Sequence, residues 1–398
     1  MSFESKNTNT ARVLNLLAAF ISILIVFTAF TLSSQIGGML QISYENYLLF
    51  FNNRYIFMFL AFFLLAYFLY TNHKYSFYSK KSSIIFTLVV VGFAVLARVY
   101  LPIISFSTYQ NKADYYSIEE ASKVLDEMGI EAEDREMIVI EHNGHVKAFS
   151  NKAAFLPHLV SGDYGDDHII MAYCVLSSLP IAFNEKLNGE AMDISVLLAP
   201  MNNLLMYDHT SGELIRQLEL KTVTSQTPLD LIPVQKMPWS SYKKLYPKGE
   251  VFLPLNPNIF QKLMSMAIGD TIDPIIEGEE LFYKPQHYVN PKLPDTERVW
   301  GILVGDSPIA ITKDYLQKNK LISMQLGGRN LVLAYFEEYD TVGAFYNDDN
   351  LEVTLDNLDP YGNVGDIKLP RVEGLYNTVF WAPWAFFYPH TELLDVSQ

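Results

Sequence analysis

The first hundred residues are dominated by three long apolar runs with almost no polar face: Val13–Ser33, Tyr55–Tyr70 and the stretch from Ser82 to Ile104. A bilayer core takes about 20 apolar residues in a helix, so the pattern predicts three transmembrane helices, about 13–33, 50–71 and 82–104. The Tyr residues flanking the second run suit the interfacial belt. Past residue 105 the periodicity changes. "SIEEASKVLDEMG" places Ile118, Ala121, Val124, Leu125 and Met128 on one helical face. Ser117 and Glu120 form a capping box, and Gly129 ends the helix. Beyond it, short strand-like runs ("MIVIE", "HIIMAYCV", "LVLAYF") alternate with turns rich in Gly, Asn and Asp. Helical pieces are brief: Asn151–Phe155, Ser240–Leu245, Asn258–Met266 and Lys313–Asn319. The expected architecture is a β-dominated (α+β) domain behind a membrane region.

The β-rich part resembles itself. Ala148 and Tyr173 are 25 residues apart, as are Ala310 and Tyr335. Tyr173 precedes Phe183 by 10, and Tyr335 precedes Phe345 by 10. Trp239 and Trp381 each stand seven residues before a Tyr-Pro pair. Such matched spacing predicts two pseudo-repeats. The expected layout is a transmembrane region 1–105, a linker and amphipathic helix 106–134, copy one 135–255, a connector 256–295 and copy two 296–398. Copy one carries about 20 extra residues near 186–230, judged from the spacing that a repeat keeps.

Charge divides the chain the same way. Of 29 Lys plus Arg and 44 Asp plus Glu, seven and two lie in residues 1–105, so the head is +5 and the remainder −20. The acidic remainder excludes nucleic acid as a partner, since phosphates demand cations. Basic residues cluster before the first run and in "NHKYSFYSKK" between the second and third. The positive-inside rule then puts the N-terminus in the cytoplasm. Three crossings put residues 106–398 outside, periplasmic or extracellular, on a bacterial inner membrane. One cysteine rules out a disulfide framework within the chain, and no Asn-x-Ser/Thr sequon occurs. Both fit a bacterial envelope protein anchored in the lipid bilayer and able to meet an envelope partner.

Candidate chemistry is sparse. "FLPHLVSGDYGDDH" leads into the strand that carries Cys174. His158, Asp163 and Cys174 are imidazole, carboxylate and thiolate donors, the set that zinc or copper takes. Copy two has Phe336 where copy one has Cys174, so the slot also accepts a purely apolar group. Alternation puts Ala172, Cys174 and Leu176 on one face, a core face by pattern. Tyr207, Asp208 and His209 lie at a strand-to-turn transition ahead of "HTSG" and form a second candidate, for binding or acid–base work. The acidic run 346–360 reads as a solvated hairpin, and "FWAPWAFFYPH" as a packing motif. The Gly-rich phosphate loops and the nucleophile elbow are missing.

These residues resemble a bacterial family, domain of unknown function three-one-seven-nine. Its motifs are matched by His158 and Asp163; by Tyr173, Cys174 and Leu176; by Met206, Tyr207, Asp208 and Gln217; and by Trp381, Trp384 and Pro389. The resemblance covers about 135–395. Val175 departs from the motif Pro, Ala172 from the Thr, and His209 from the Arg. Ser177 stands where many members have a second Cys. The family implies no settled activity. The expected function is therefore a membrane-anchored, non-catalytic envelope module that binds a ligand or partner. The alternatives are a metal or redox module using His158, Asp163 and Cys174, and an enzyme acting on envelope glycans.

Overall fold

The computed structural model describes residues 3–32, 44–110, 113–127, 133, 135–155, 157–255, 262, 266, 272–283 and 290–396. Contacts divide the chain into two compact units, 1–105 and 106–398.

The first unit is helical. Helices α1 (Phe3–Leu32), α2 (Tyr44–Tyr75) and α3 (Lys80–Thr108) share a small core of Val26, Ala61, Leu65, Phe68, Val90 and Ala94. Their few inward polar groups bond across helices. Asn15 Nδ2 donates to the Phe68 carbonyl at 2.9 Å, Ser22 Oγ to the Ala61 carbonyl at 3.0 Å, and Asn72 Nδ2 to Ser83 Oγ at 2.6 Å. Where a helix faces hydrocarbon, polar residues are satisfied in this way. The outer faces are apolar, with Phe20, Phe27, Phe59, Phe63 and Leu88 at least half exposed. Among the described residues, two segments are long and apolar enough to cross a membrane, Asn9–Ala29 and Tyr55–Tyr75, of 21 residues each. Three spans were expected; the third, 82–104, is not among these two, and its side chains beyond Val95 lie outside the described residues.

The second unit is β-rich. Helix α4 (Ile118–Glu127) starts as its sequence dictates: Glu120 accepts from the Ser117 amide at 2.9 Å and from its hydroxyl at 2.7 Å. Gly129 lies outside the described residues, as do half of the connector 256–295 and most of the expected helix Asn258–Met266.

Strands β1 (Glu136–His142) and β2 (His145–Ser150) form a hairpin. The four-residue helix α5 (Asn151–Ala154), capped by Ser150 Oγ, follows. Next come β3 (Leu159–Tyr164), β4 (Asp167–Cys174) and β5 (Leu179–Asn184), an antiparallel meander. Strand β6 (Val234–Pro238) returns to pair antiparallel with β1 and runs into α6 (Trp239–Leu245); β7 (Glu250–Phe252) then pairs parallel with β2.

The same plan recurs later in the chain. Strands β8 (Arg298–Val304) and β9 (Ser307–Thr312) form a hairpin, followed by α7 (Lys313–Asn319), capped by Thr312 Oγ1. The meander is β10 (Leu321–Leu326), β11 (Arg329–Phe336) and β12 (Thr341–Tyr346). Strand β13 (Leu375–Phe380) pairs antiparallel with β8 and runs into α8 (Trp381–Phe387), and β14 (Glu392–Leu394) pairs parallel with β9. Register agrees too: Val139 faces Ala148, and Gly301 faces Ala310. Equivalent loop bonds recur, with the Trp239 and Trp381 amides donating at 2.8 Å to the carbonyls of Arg135 and Glu297. The extra residues of the first half form a separate four-stranded sheet from Ile194 to Thr222.

Strand β4 is buried on both faces. Ile170, Ala172 and Cys174 belong to one core and Ile169, Met171, Tyr173 and Val175 to another. The aromatic segment packs as expected: Trp381 and Trp384 are fully buried. The acidic run 346–360 is corrected. Among the described residues it is an irregular loop rather than a hairpin, closed by Asn347, whose side chain bonds the Leu351 amide and carbonyl at 2.9 and 3.0 Å.

Candidate functional site

The three expected metal ligands do not converge. Asp163 is paired across the hairpin with His168, whose Nδ1 lies 2.6 Å from its carboxylate. Cys174 is six residues further along β4, roughly 20 Å away at strand spacing. His158 lies beside Tyr173, whose amide donates to its carbonyl at 2.8 Å, and its ring packs edge-on to Phe155. Phe155 and Tyr173 belong to the core on the other side of β4 from Cys174. Alternation along the strand therefore sends the imidazole and the thiol to opposite faces. Among the described residues no cluster of three His, Cys, Asp or Glu could hold a metal ion. Cys174 is 1% exposed, and its Sγ donates to the Asn202 carbonyl at 3.6 Å. Burial raises the thiol above its ordinary pKa, which suppresses the thiolate that a nucleophile or ligand needs. His158 is driven down to about 4 by burial, so its ring is neutral.

The second candidate is a turn. Asp208 is 1% exposed and accepts the amides of Asp193, Thr210 and Ser211 at 2.9–3.1 Å, plus the Ser211 hydroxyl at 2.5 Å. A carboxylate so engaged organises its hairpin and has little capacity left for a ligand. His209 Nε2 lies 2.6 Å from Ser195 Oγ, and its ring stands edge-on to Tyr207 at 4.9 Å. Gln217, from the same motif, donates to the Ala172 and Leu179 carbonyls at 3.0 Å each, tying the extra sheet to β4 and β5.

The polar cluster that the structure assembles lies elsewhere, where the two halves of the unit meet. Lys236, on β6, is 4% exposed. Its Nζ donates to the Ser178 carbonyl at 3.0 Å, Ser178 Oγ at 3.2 Å and Thr378 Oγ1 at 2.7 Å. Glu136 Oε1 pairs with it at 2.9 Å, and Glu136 Oε2 lies 3.7 Å from Arg298 Nη1. The equivalences are close. Glu136 faces Pro238 across one sheet, and Arg298 faces Phe380 across the other. Lys236 and Thr378 each stand three residues before the Trp that opens a helix.

Two residues of the cluster have left-handed backbone. Ser178 and Thr378 have φ of +56° and +55°. For the β-branched Thr378 this is a marked outlier, and such strain gathers at functional sites. Thr378 lies in a β-bulge, where the register slips between Val299 and Gly301. Burial depresses Lys236 to about 8, against the opposing pull of Glu136. Burial alone would raise the Glu136 carboxyl, but Lys236 and Arg298 prevail and hold it below its ordinary value.

The cluster opens into a cavity of about 450 Å³ lined by Glu136, Lys236, Arg298, Lys313 and Thr378, with Glu277, Glu297, Asp340 and Trp300 around them. Lys313 is matched by Asp340 at 3.2 Å. That volume and mix of charges suit a small polar molecule. One signal was present in the sequence: a lysine in the middle of the strand "PVQKMPW". Its hydrogen-bond partners lie 58 and 142 residues away, and pattern alone does not bring them together.

Residues 103–391 match the model of a family described as a protein of unknown function, DUF3179. The chain belongs to that family. The match takes in the β-rich unit of this DUF3179 member up to β13 and α8, and begins 32 residues ahead of the 135 expected from the motifs. No curated protein matches the chain. No solved structure matches it either.

Proposed function

We propose that this DUF3179 chain is a membrane-anchored envelope protein whose β-rich unit holds a small polar ligand in the cavity between two copies of one ancestral unit. The observation that carries the reading is the buried Lys236, held by Ser178, Thr378 and Glu136 at the floor of that cavity. Burying an ammonium and straining two backbones costs free energy that packing alone does not require. The two-copy reading rests on matched strand order, register and loop bonds. It also accounts for the cavity's position, since each half contributes a pair of adjacent strands, β1 with β6 and β8 with β13.

The lining carries both signs. Lys236, Arg298 and Lys313 stand with Glu136, Glu277, Glu297 and Asp340. A zwitterion or a short polar acid derivative is the matching ligand class. An extracytoplasmic position for residues 106–398 remains part of the proposal. It is supported by the basic head, the acidic body and the lone cysteine.

The test is thermal unfolding of the full chain in detergent with a panel of amino acids, short carboxylates, amines and sugars. A binder at 100 times its Kd adds about 2.7 kcal/mol. The expected result is a saturable rise in Tm that Arg298→Gln and Glu277→Gln weaken. If no panel member raises Tm, the reading fails.

A further inference from the structure

The same cavity holds a hydroxyl poised for chemistry. We infer that Thr378 Oγ1 is a nucleophile, with Lys236 as its general base and Ser178 as the group that orients the amine, in an acyl-transfer site for small polar esters. This rests on the cavity being a ligand site, and departs from the non-catalytic expectation.

Three observations meet at one atom. Thr378 lines the cavity, and its Oγ1 is 2.7 Å from Lys236 Nζ. A nucleophilic hydroxyl needs a base within that reach and a third group to orient the base. Ser178 Oγ and the Ser178 carbonyl, at 3.2 and 3.0 Å, hold the amine from the far side. Secondly, the left-handed backbone at Thr378 is the conformation least suited to a β-branched residue. The bulge that imposes it turns the hydroxyl toward the lysine, and Asn377, beside it, is clamped by donating to the Val234 carbonyl at 2.7 Å. Thirdly, the symmetric position has diverged. Lys236 and Thr378 occupy matching places in the two halves, and one supplies an amine where the other supplies an alcohol.

Lys236 meets the requirement for a base. Glu136 and Arg298 are the charged groups nearest it, and with burial they leave it at about 8. A fraction on the order of a tenth is therefore neutral at pH 7. The step balances. Thr378 Oγ1 bonds to the ester carbonyl carbon as its proton passes to Lys236 Nζ. The ester C–O bond then breaks, and the ammonium returns that proton to the departing oxygen. Water, deprotonated by the same amine, attacks the acyl-Thr378 ester, releasing the acid and restoring the hydroxyl. Arg298 lines the cavity and supplies positive charge toward the developing oxyanion.

The test uses the full chain in detergent with p-nitrophenyl acetate. The expected result is a burst of about one equivalent of p-nitrophenolate, with the acetyl group mapped by peptide mass spectrometry to Thr378. Thr378→Ser keeps the burst and Thr378→Val abolishes it. Lys236→Met slows it about 100-fold, the lower end of a general base's contribution. Acetyl on Lys236 instead, or no adduct on Thr378 in the unaltered protein, overturns the proposal, and that readout does not depend on any variant folding. The Tm panel judges ligand binding separately, so a chain that binds without acylating refutes the nucleophile alone.

Discussion

At the scale of single residues, the motif side chains and the site side chains are different sets. Cys174, Asp208 and Gln217 stand out in the sequence as polar or reactive types in patterned positions. Each is spent on internal bonds. Asp163 was legible as a carboxylate, but its partner proved to be the residue opposite it on the hairpin, His168, and not a remote thiol. His158 has a different use. Its Nδ1 is buried without a hydrogen bond, and burial lowers its pKa from the ordinary 6.5 to about 4. A histidine lowered on folding is neutral in the native state, and the unfolded chain binds its proton first as pH falls. Its contribution is therefore complete above pH 6.5 and declines as pH drops toward 4. The whole effect amounts to about 3 kcal/mol. The variant His158→Phe should flatten the fall in Tm between pH 6.5 and 4 relative to the unaltered chain. Parallel Tm curves for the two proteins would show that His158 does not titrate as its burial demands.

At the scale of elements, the sequence pattern was most informative where local chemistry decides the outcome. Helix α7 runs from Lys313 to Asn319 as its spacing predicts, because Thr312 caps it and the next strand follows at once. The capping box at Ser117 and the turn "HTSG" formed for the same local reason. Strand β4 read as half-buried but is covered on both faces, because the second sheet that covers it comes from distant sequence. The seam between β8 and α8 shows how tightly such packing is specified. A Cβ placed on Gly301 would lie 2.4 Å from the Trp384 ring, and Trp384 is itself fixed by donating from Nε1 to Thr391 Oγ1 at 3.1 Å. Overpacking of this kind costs about 1–3 kcal/mol. Gly301→Ala is expected to lower Tm by several degrees, and the double variant Gly301→Ala/Trp384→Leu to cost less than the sum of its two single changes. Strict additivity in chemical denaturation would argue that the ring has room to move.

At the scale of the whole molecule, the matched spacing pointed to a common strand plan, whose consequence spacing alone does not show. Two halves with the same strand plan bring equivalent residues together where they meet, so Glu136 finds Arg298 and Lys236 finds Thr378. Each of these four looks ordinary within its own strand, and only the pairing of halves makes them a site. The helical unit raises a question of parity. Two segments meet the length and apolarity of a span. If they alone crossed, residues 106–398 would share a side with the N-terminus. An extracytoplasmic β-rich unit with a cytoplasmic N-terminus therefore requires α3 to cross as well. Reporter fusions separate these outcomes. Alkaline phosphatase joined after residue 110 should be active, and joined after Lys81 inactive, while immunoblotting of an N-terminal tag shows whether α1 is retained. Inactive phosphatase at 110 would place the acidic unit, and the Lys236 cavity with it, in the cytoplasm, and would restrict its ligands to molecules found there.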